Sequence, residues 1–243
     1  MPDQPAFITQ PRHIRGADFG HALALIDYRS GEVRTLLPAA AGHLAKAART
    51  GRARDLPDRL LASLLASGLL MPTEAPVPWT PPRRPLEAWK PSWGGDEHRA
   101  GLVPPPRVPL GAAVTASIAL GTVLAVKAAG PPSEAMLRVV RLIHRAASTC
   151  LLPATPEEAE KAVKAVRRAG WYSPGRTACL EESAAAVLLL AARRQGVTWC
   201  HGLACDPIRL HAWIQTGDAL TAEPDSTAAY TPVLMITGAP HRH

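Results

Sequence analysis

Cys179 is the residue whose setting points most directly to chemistry. The apolar residues after it recur at spacings of three and four, which predicts a helix from about Thr177 to Arg194. Thr177 is a suitable N-cap, so the cysteine falls in the first turn. Unbonded amides and the positive end of the helix dipole stabilise a thiolate at such a position. Cys179 is therefore a candidate nucleophile, provided that the fold supplies a base.

His211 is the candidate base. Residues 208–214 alternate in character, which predicts a strand with its apolar side chains on one face and His211 on the other. A helix terminus could approach that second face. A Cys–His pair brought together in this way has the composition of a nucleophile and its general base.

A carboxylate usually orients the histidine of such a pair. After a turn at Gly217 and Asp218, the chain is predicted to return as a strand over residues 219–223. Glu223 and Asp225 could each reach the imidazole from behind. The spacing alone does not choose between them.

Cys200, His201 and Cys205 raise the question of a metal site. The two cysteines are separated by four residues and have no second pair elsewhere, so the pattern does not predict a closed zinc site. Four cysteines in 243 residues are also too few for a disulfide scaffold. We expect no metal and no cofactor.

The composition narrows the class of protein. Hydrophobic residues make up 47% of the chain and charged residues 19%, which is typical of a globular protein. The net charge of +7 is spread along the chain rather than concentrated, so nucleic-acid binding is not expected. No apolar run opens the sequence, so we predict no signal peptide. Residues 110–126 are apolar but short for a membrane span, and a buried helix in a cytoplasmic protein is the better interpretation.

A proline-rich stretch divides the chain. Residues 72–109 contain eleven prolines together with Trp79, Trp89 and Trp93, which predicts an extended linker held against a domain surface by its tryptophans. A small domain is expected over residues 1–71 and a larger one over 110–243.

Each domain has its own element order. In the first, we predict strands over 22–28 and 33–37 and helices over 38–48 and from Pro57 onward, a compact winged-helix-like arrangement. In the second, we predict helices near 111–128, 133–148 and 156–169, the helix that carries Cys179, and strands over 197–204 and 208–216. Together they make an α+β protein.

Several segments of the second domain resemble the lasso peptide maturation proteases, which have a transglutaminase-like, papain-like cysteine protease core. The matching segments are Gly175-Arg176-Thr177-Ala178-Cys179-Leu180-Glu181, Arg193-Arg194-Gln195-Gly196-Val197, Asp206-Pro207 and Leu210-His211-Ala212-Trp213-Ile214. Residues 20–70 resemble the PqqD-like leader-recognition element that accompanies this core, through Leu25-Ile26-Asp27-Tyr28-Arg29-Ser30-Gly31 and Gly68-Leu69-Leu70.

The resemblance implies an activity, which is removal of the leader from a ribosomally made lasso precursor so that an ATP-dependent cyclase can close the macrolactam. Cys179 would attack, His211 would move protons, and Glu223, where the family usually has Asp, would orient His211, with Asp225 as the alternative. The leader would add as a strand to the N-terminal domain. Val33, Thr35, Leu61 and Leu65 are the expected contacts.

Two other functions fit the same residues. A non-catalytic adaptor could bind the precursor and present it to the cyclase, and the Glu-for-Asp departure favours this alternative. An acyl transferase of the transglutaminase or amidase kind could use the same thiol and imidazole.

Overall fold

The computed structural model describes residues 4–82, 107–173, 175, 177–205 and 207–238. Helices and antiparallel strands are both well represented, and the chain divides into two compact units, Met1–Trp89 and Lys90–His243. The division therefore falls within the stretch expected to be a linker. Each unit has its own core.

The first unit contains two small sheets and two helices. In chain order they are β1 (Phe7–Thr9), β2 (Ile14–Asp18), β3 (Leu23–Asp27), β4 (Val33–Leu36), α1 (Pro38–Thr50), α2 (Asp58–Ala66) and β5 (Met71–Thr73). Strands β2, β3 and β4 form an antiparallel meander, and β1 pairs with β5. The expected strand-strand-helix-helix order is present, whereas β1, β2 and β5 were not predicted because they are short and lack a sustained alternation.

Local signals explain the ends of these elements. Gly31, at φ +86°, makes the turn between β3 and β4, where a side chain would be strained. Pro38 occupies the first turn of α1, and Gly51 ends that helix at φ +67°. The core beneath is formed by Ile14, Leu25, Leu44, Leu61 and Leu64.

The start of the proline-rich stretch packs on this first unit. Pro72 lies in β5, and the Trp79 amide donates to the Ala48 carbonyl at 2.9 Å. The Trp79 ring packs against the core. Trp89 and Trp93 lie outside the described residues.

In the second unit, the other elements surround one buried helix. Its elements are α3 (Leu110–Ala128), α4 (Ala135–Ala147), β6 (Leu152–Pro153), α5 (Pro156–Trp171), α6 (Cys179–Ala191), β7 (Gln195–Gly196), β8 (Thr198–Cys205), β9 (Ile208–Thr216), β10 (Ala219–Leu220) and β11 (Thr231–Thr237). Helices α3, α4 and α5 pack around α6, which also contacts β8 and β9. The antiparallel sheet has the order β10-β9-β8-β11. The Trp199 indole donates to Ser183 Oγ at 2.9 Å and thereby ties β8 to α6.

Three predicted boundaries in this unit differ from those in the structure. Helix α6 begins at Cys179 rather than Thr177 and ends at Ala191, because Arg194 takes a left-handed conformation at φ +59°. The strand expected over 219–223 stops at Leu220. The sheet is completed instead by β11, which pairs with β8 on the edge opposite β9 and was not predicted.

Helix α3 is less buried than expected. It is the one helix among the described residues that is long and apolar enough to cross a membrane, and 22% of its apolar window is buried. Ala116, Leu120 and Val123 face the unit's core, whereas Leu110 and Ile118 are 80% and 65% exposed. The helix is apolar all round, so its sequence could not indicate which face is buried.

Candidate active site

Cys179 is the first residue of α6 and is partly accessible. The start of the helix is fixed by Glu181, whose carboxylate accepts the Ala178 amide at 3.0 Å and also pairs with Lys127 of α3. Thr177 does not cap the helix, because its hydroxyl instead donates to the Glu182 carboxylate at 3.0 Å. The thiol therefore lies where the first helical amides have no acceptor within the helix, as thiolate stabilisation requires.

His211 lies on β9 opposite Gly202 of β8. Its ring stacks on Trp213 with centroids 5.8 Å apart, and Tyr230 covers it at 5.2 Å with the rings inclined by 46°. A Cβ at Gly202 would stand 2.8 Å from the Trp213 ring, so only glycine leaves room for that ring. The imidazole is thus held between two aromatic side chains.

Glu223 is the carboxylate that meets His211. Its Oε2 lies 2.6 Å from His211 Nε2 and accepts a second hydrogen bond from the Thr227 hydroxyl at 3.2 Å. Asp225 is exposed at the start of a 3-10 helix. Since a carboxylate only accepts, Nε2 is the donor, which leaves Nδ1 to exchange a proton with the thiol.

The charge state of His211 follows from these contacts. Burial alone would lower its pKa, but hydrogen bonds with Cys179 and Glu223, and the negative charges of both, raise the pKa to about 9. The ring therefore keeps its proton at neutral pH. An imidazolium beside Cys179 favours the thiolate.

The other cysteines have different surroundings. Burial raises the pKa of the Cys200 thiol to about 12 and also raises that of Cys150. Cys205 is buried at the end of β8. None of the four cysteines forms a disulfide. Of these thiols, Cys179 is the one placed at a helix start beside an imidazole.

The residues considered as metal ligands do not converge. His201 pairs with Ala212, whereas Gly202 pairs with His211. Because side chains alternate along a strand, His201 lies on the face of the sheet opposite to His211. Burial, and then the charge of His211, lower its pKa to about 4. Within the described residues, no group of three or more His, Cys, Asp or Glu side chains is arranged to hold a metal ion.

Arg167 of α5 is a site residue that the sequence analysis missed. Its Nη2 donates to Glu223 Oε1 at 2.7 Å and its Nη1 to the Ala222 carbonyl at 2.5 Å. Nothing in the local pattern separates it from its neighbour Arg168, whose guanidinium lies over the Tyr172 ring. The distinction arises only from packing across 56 positions of sequence.

The residues expected to bind a leader lie in the first unit. Val33 is half-buried and Thr35 exposed on β4, an edge strand of the meander. Leu61 is 2% exposed within the core, and Leu65 packs against that core from outside. A peptide added beside β4 could reach the first two side chains directly, but it could not touch Leu61 without displacing its neighbours.

Part of the second unit matches a known protein family. Residues 132–235 match the Transglutaminase-like superfamily, a stretch that includes Cys179, His211 and Glu223 and covers less than half of the chain. No curated protein and no solved structure matches the chain. The match supports the interpretation of the second unit as a protease core and is compatible with either cysteine-peptidase or acyl-transfer chemistry.

Proposed function

We propose that this protein is a cysteine peptidase that removes the leader from a lasso peptide precursor. The proposed peptidase chemistry rests on one arrangement: Cys179 at the start of α6, His211 on β9, and the Glu223 carboxylate against His211 Nε2. The transglutaminase-like match over residues 132–235 supports it. The choice of substrate rests on the resemblance of residues 175–181 and 206–214 to the lasso maturation proteases.

The geometry supports a two-step mechanism. The thiolate of Cys179 attacks the scissile carbonyl carbon, and the amides in the first turn of α6 face the developing oxyanion. The imidazolium of His211 protonates the leaving amine, which departs and leaves a thioester. His211, now neutral, takes a proton from water, and the resulting hydroxide attacks the thioester to release a carboxylate and the thiolate. Glu223 holds the ring in the required tautomer throughout.

Leader binding is assigned to the first unit. Among the described strands, β4 lies at the edge of its sheet, so its outer backbone groups could pair with an added strand. Val33 and Thr35 would line that strand, while Leu61 and Leu65 would support it from the core. The proposed partners are the precursor and an ATP-dependent macrolactam cyclase, and the proposed location is the cytoplasm.

Mass spectrometry of the precursor tests the peptidase proposal. The full chain, incubated with a lasso precursor, the cyclase and ATP, should release an intact leader with a free carboxylate. Cys179→Ala should abolish release while leaving the affinity for a fluorescent leader peptide within about twofold. Val33→Glu should reduce the affinity for the leader peptide and leave the rate of Cys179 alkylation by iodoacetamide unchanged.

The alternatives give different results in this experiment. An adaptor would support maturation equally well with Cys179→Ala, which would overturn the peptidase proposal. An acyl transferase, which the superfamily match also favours, would convert the leader to an amide when a primary amine is supplied. Hydrolysis to the carboxylate in the presence of that amine excludes this second function.

A further inference from the structure

The backbone before Glu223 is in an unusual conformation. Ala222 has φ +53°, in the left-handed region that residues with a Cβ seldom occupy. Such conformations persist only where surrounding contacts hold them, and they are concentrated at functional sites. The structure therefore requires a contact that fixes this part of the loop.

Arg167 supplies that contact in two places at once. One guanidinium nitrogen donates to the Ala222 carbonyl at 2.5 Å and the other to Glu223 Oε1 at 2.7 Å. The fork thus binds the main chain before the carboxylate and one oxygen of the carboxylate itself. The second oxygen, Oε2, is then aimed at His211 Nε2.

The packing of α5 brings Arg167 within reach. Gly170, one turn further along the helix, approaches the start of α6 so closely that a Cβ there would meet Thr177 Oγ1 at 2.8 Å and Glu182 Oε1 at 3.0 Å. Residues 167 and 170 lie on the same side of the helix. The contact that brings α5 against the start of the catalytic helix therefore also directs Arg167 towards the loop.

We infer that Arg167 is a positioning residue, which holds Glu223 in the one orientation that pairs it with His211, and this inference rests on the proposed Cys179 chemistry. The side chain of Glu223 leaves from a loop rather than a strand and has three rotatable bonds. Arg167 is the side chain among the described residues that bridges the Ala222 carbonyl and the Glu223 carboxylate, and its removal breaks that bridge. The ion pair between His211 and Cys179 would then lose its support without any change in the two residues themselves.

Positioning and simple electrostatics predict opposite results. A nearby cation weakens a carboxylate's pull on a proton, so on electrostatics alone the loss of Arg167 would raise the pKa of His211 further. If Arg167 positions Glu223, its loss removes the hydrogen bond, and the pKa of His211 falls instead.

The other titratable groups around His211 and Glu223 are the same whether Arg167 acts by positioning or by its charge alone. They are Cys179 and Glu182 on α6, His201 on β8, and Tyr230 before β11.

Alkylation of Cys179 with iodoacetamide, resolved by mass spectrometry, tests this without a peptide substrate. The ratio of the rate at pH 6 to that at pH 10 reports thiolate held by the imidazolium, because at pH 10 the thiol ionises without help. Arg167→Gln in the full chain should lower this ratio about tenfold, because an imidazole that Glu223 no longer holds loses its fixed position beside the thiolate; tenfold corresponds to about 1.4 kcal/mol. Arg167→Lys, which can fill one contact of the two, should give an intermediate ratio.

The controls separate positioning from a general structural role. Arg168→Gln should leave the ratio within about twofold of the unsubstituted chain. Adding Arg167→Gln to Glu223→Gln should cause no further fall in the ratio of alkylation rates, since the arginine acts through the Glu223 carboxylate. NMR titration of His211 in the Arg167→Gln chain should show a pKa below that of the unsubstituted protein.

Two results would overturn the inference. One is an unchanged ratio in Arg167→Gln, which includes the case in which the rates at pH 6 and pH 10 fall equally. The other is a full additional loss on top of Glu223→Gln. If Cys179 in the unsubstituted chain reacts at pH 6 no faster than Cys150, the proposed nucleophile fails and the role of Arg167 fails with it. A reactive Cys179 with an unchanged Arg167→Gln ratio refutes the arginine's role alone.

Discussion

Glu223→Asp is the substitution that most sharply tests the geometry of the site. Aspartate is the residue that the lasso maturation proteases usually carry at this place, so the resemblance alone suggests that the exchange is harmless. The structure predicts otherwise. The loop before residue 223 is held by Arg167 and by the Thr221 amide, which donates to the Ile214 carbonyl at 3.2 Å, so the backbone cannot advance to compensate.

The size of the effect follows from one bond length. Removing a methylene withdraws the carboxylate by about 1.5 Å. Glu223 Oε2 now lies 2.6 Å from His211 Nε2, so the shortened side chain would stand about 4 Å away, beyond hydrogen-bond range. A hydrogen bond to a charged group is worth about 1.5–3 kcal/mol. The expected loss is therefore roughly tenfold to a hundredfold in kcat/KM for leader release.

Two assays measure this loss. Leader release by the full chain gives kcat/KM, and the pH 6 to pH 10 ratio of Cys179 alkylation gives the same comparison without a substrate. Asp225→Asn is the matched control, because that carboxylate is exposed and should change either value less than twofold. Glu223→Asp with the full rate and ratio would refute the reasoning, as would a loss in Asp225→Asn equal to that in Glu223→Asp.

Three further predictions follow from other contacts. The pKa of His211 is raised from an ordinary 6.5 to about 9, so the protonated ring stabilises the fold fully below pH 6.5 and loses that contribution as pH rises through 9. The rate of leader release should fall over the same alkaline range. A fall in that rate centred near pH 7 would contradict this prediction. Gly202→Ala should displace the aromatic ring stacked on the imidazole and reduce leader release at least tenfold, whereas Gly121→Ala, with nothing within 4 Å, should raise Tm slightly. Lys127→Met should leave the buried Glu181 carboxylate without its cation and destabilise the chain by about 3 kcal/mol in urea unfolding, whereas Lys164→Met, in an exposed pair, should cost less than about 0.5 kcal/mol. Equal losses in either pair of variants would count against the assigned contacts.

Most helices and the long strands could be predicted because their signals are local. Helix α5 begins at the capping box of Thr155 and Glu158, as its sequence indicates, and β9 spans the predicted 208–216. Short strands such as β1 and β5 carry no comparable pattern and exist because they pair with each other. The course of the chain after β10 was predicted wrongly for the same reason, since β11 is defined by its pairing with β8 rather than by alternation.

The sequence by itself identified the two candidate reacting groups. A cysteine at a helix start and a histidine on the non-apolar face of a strand follow from periodicity and dipole alone, which depend on residues within one or two turns. The choice of Glu223 over Asp225, and the part played by Arg167, were decided only by tertiary structure. Both depend on a left-handed Ala222 that no local preference favours and on a contact between side chains 56 positions apart.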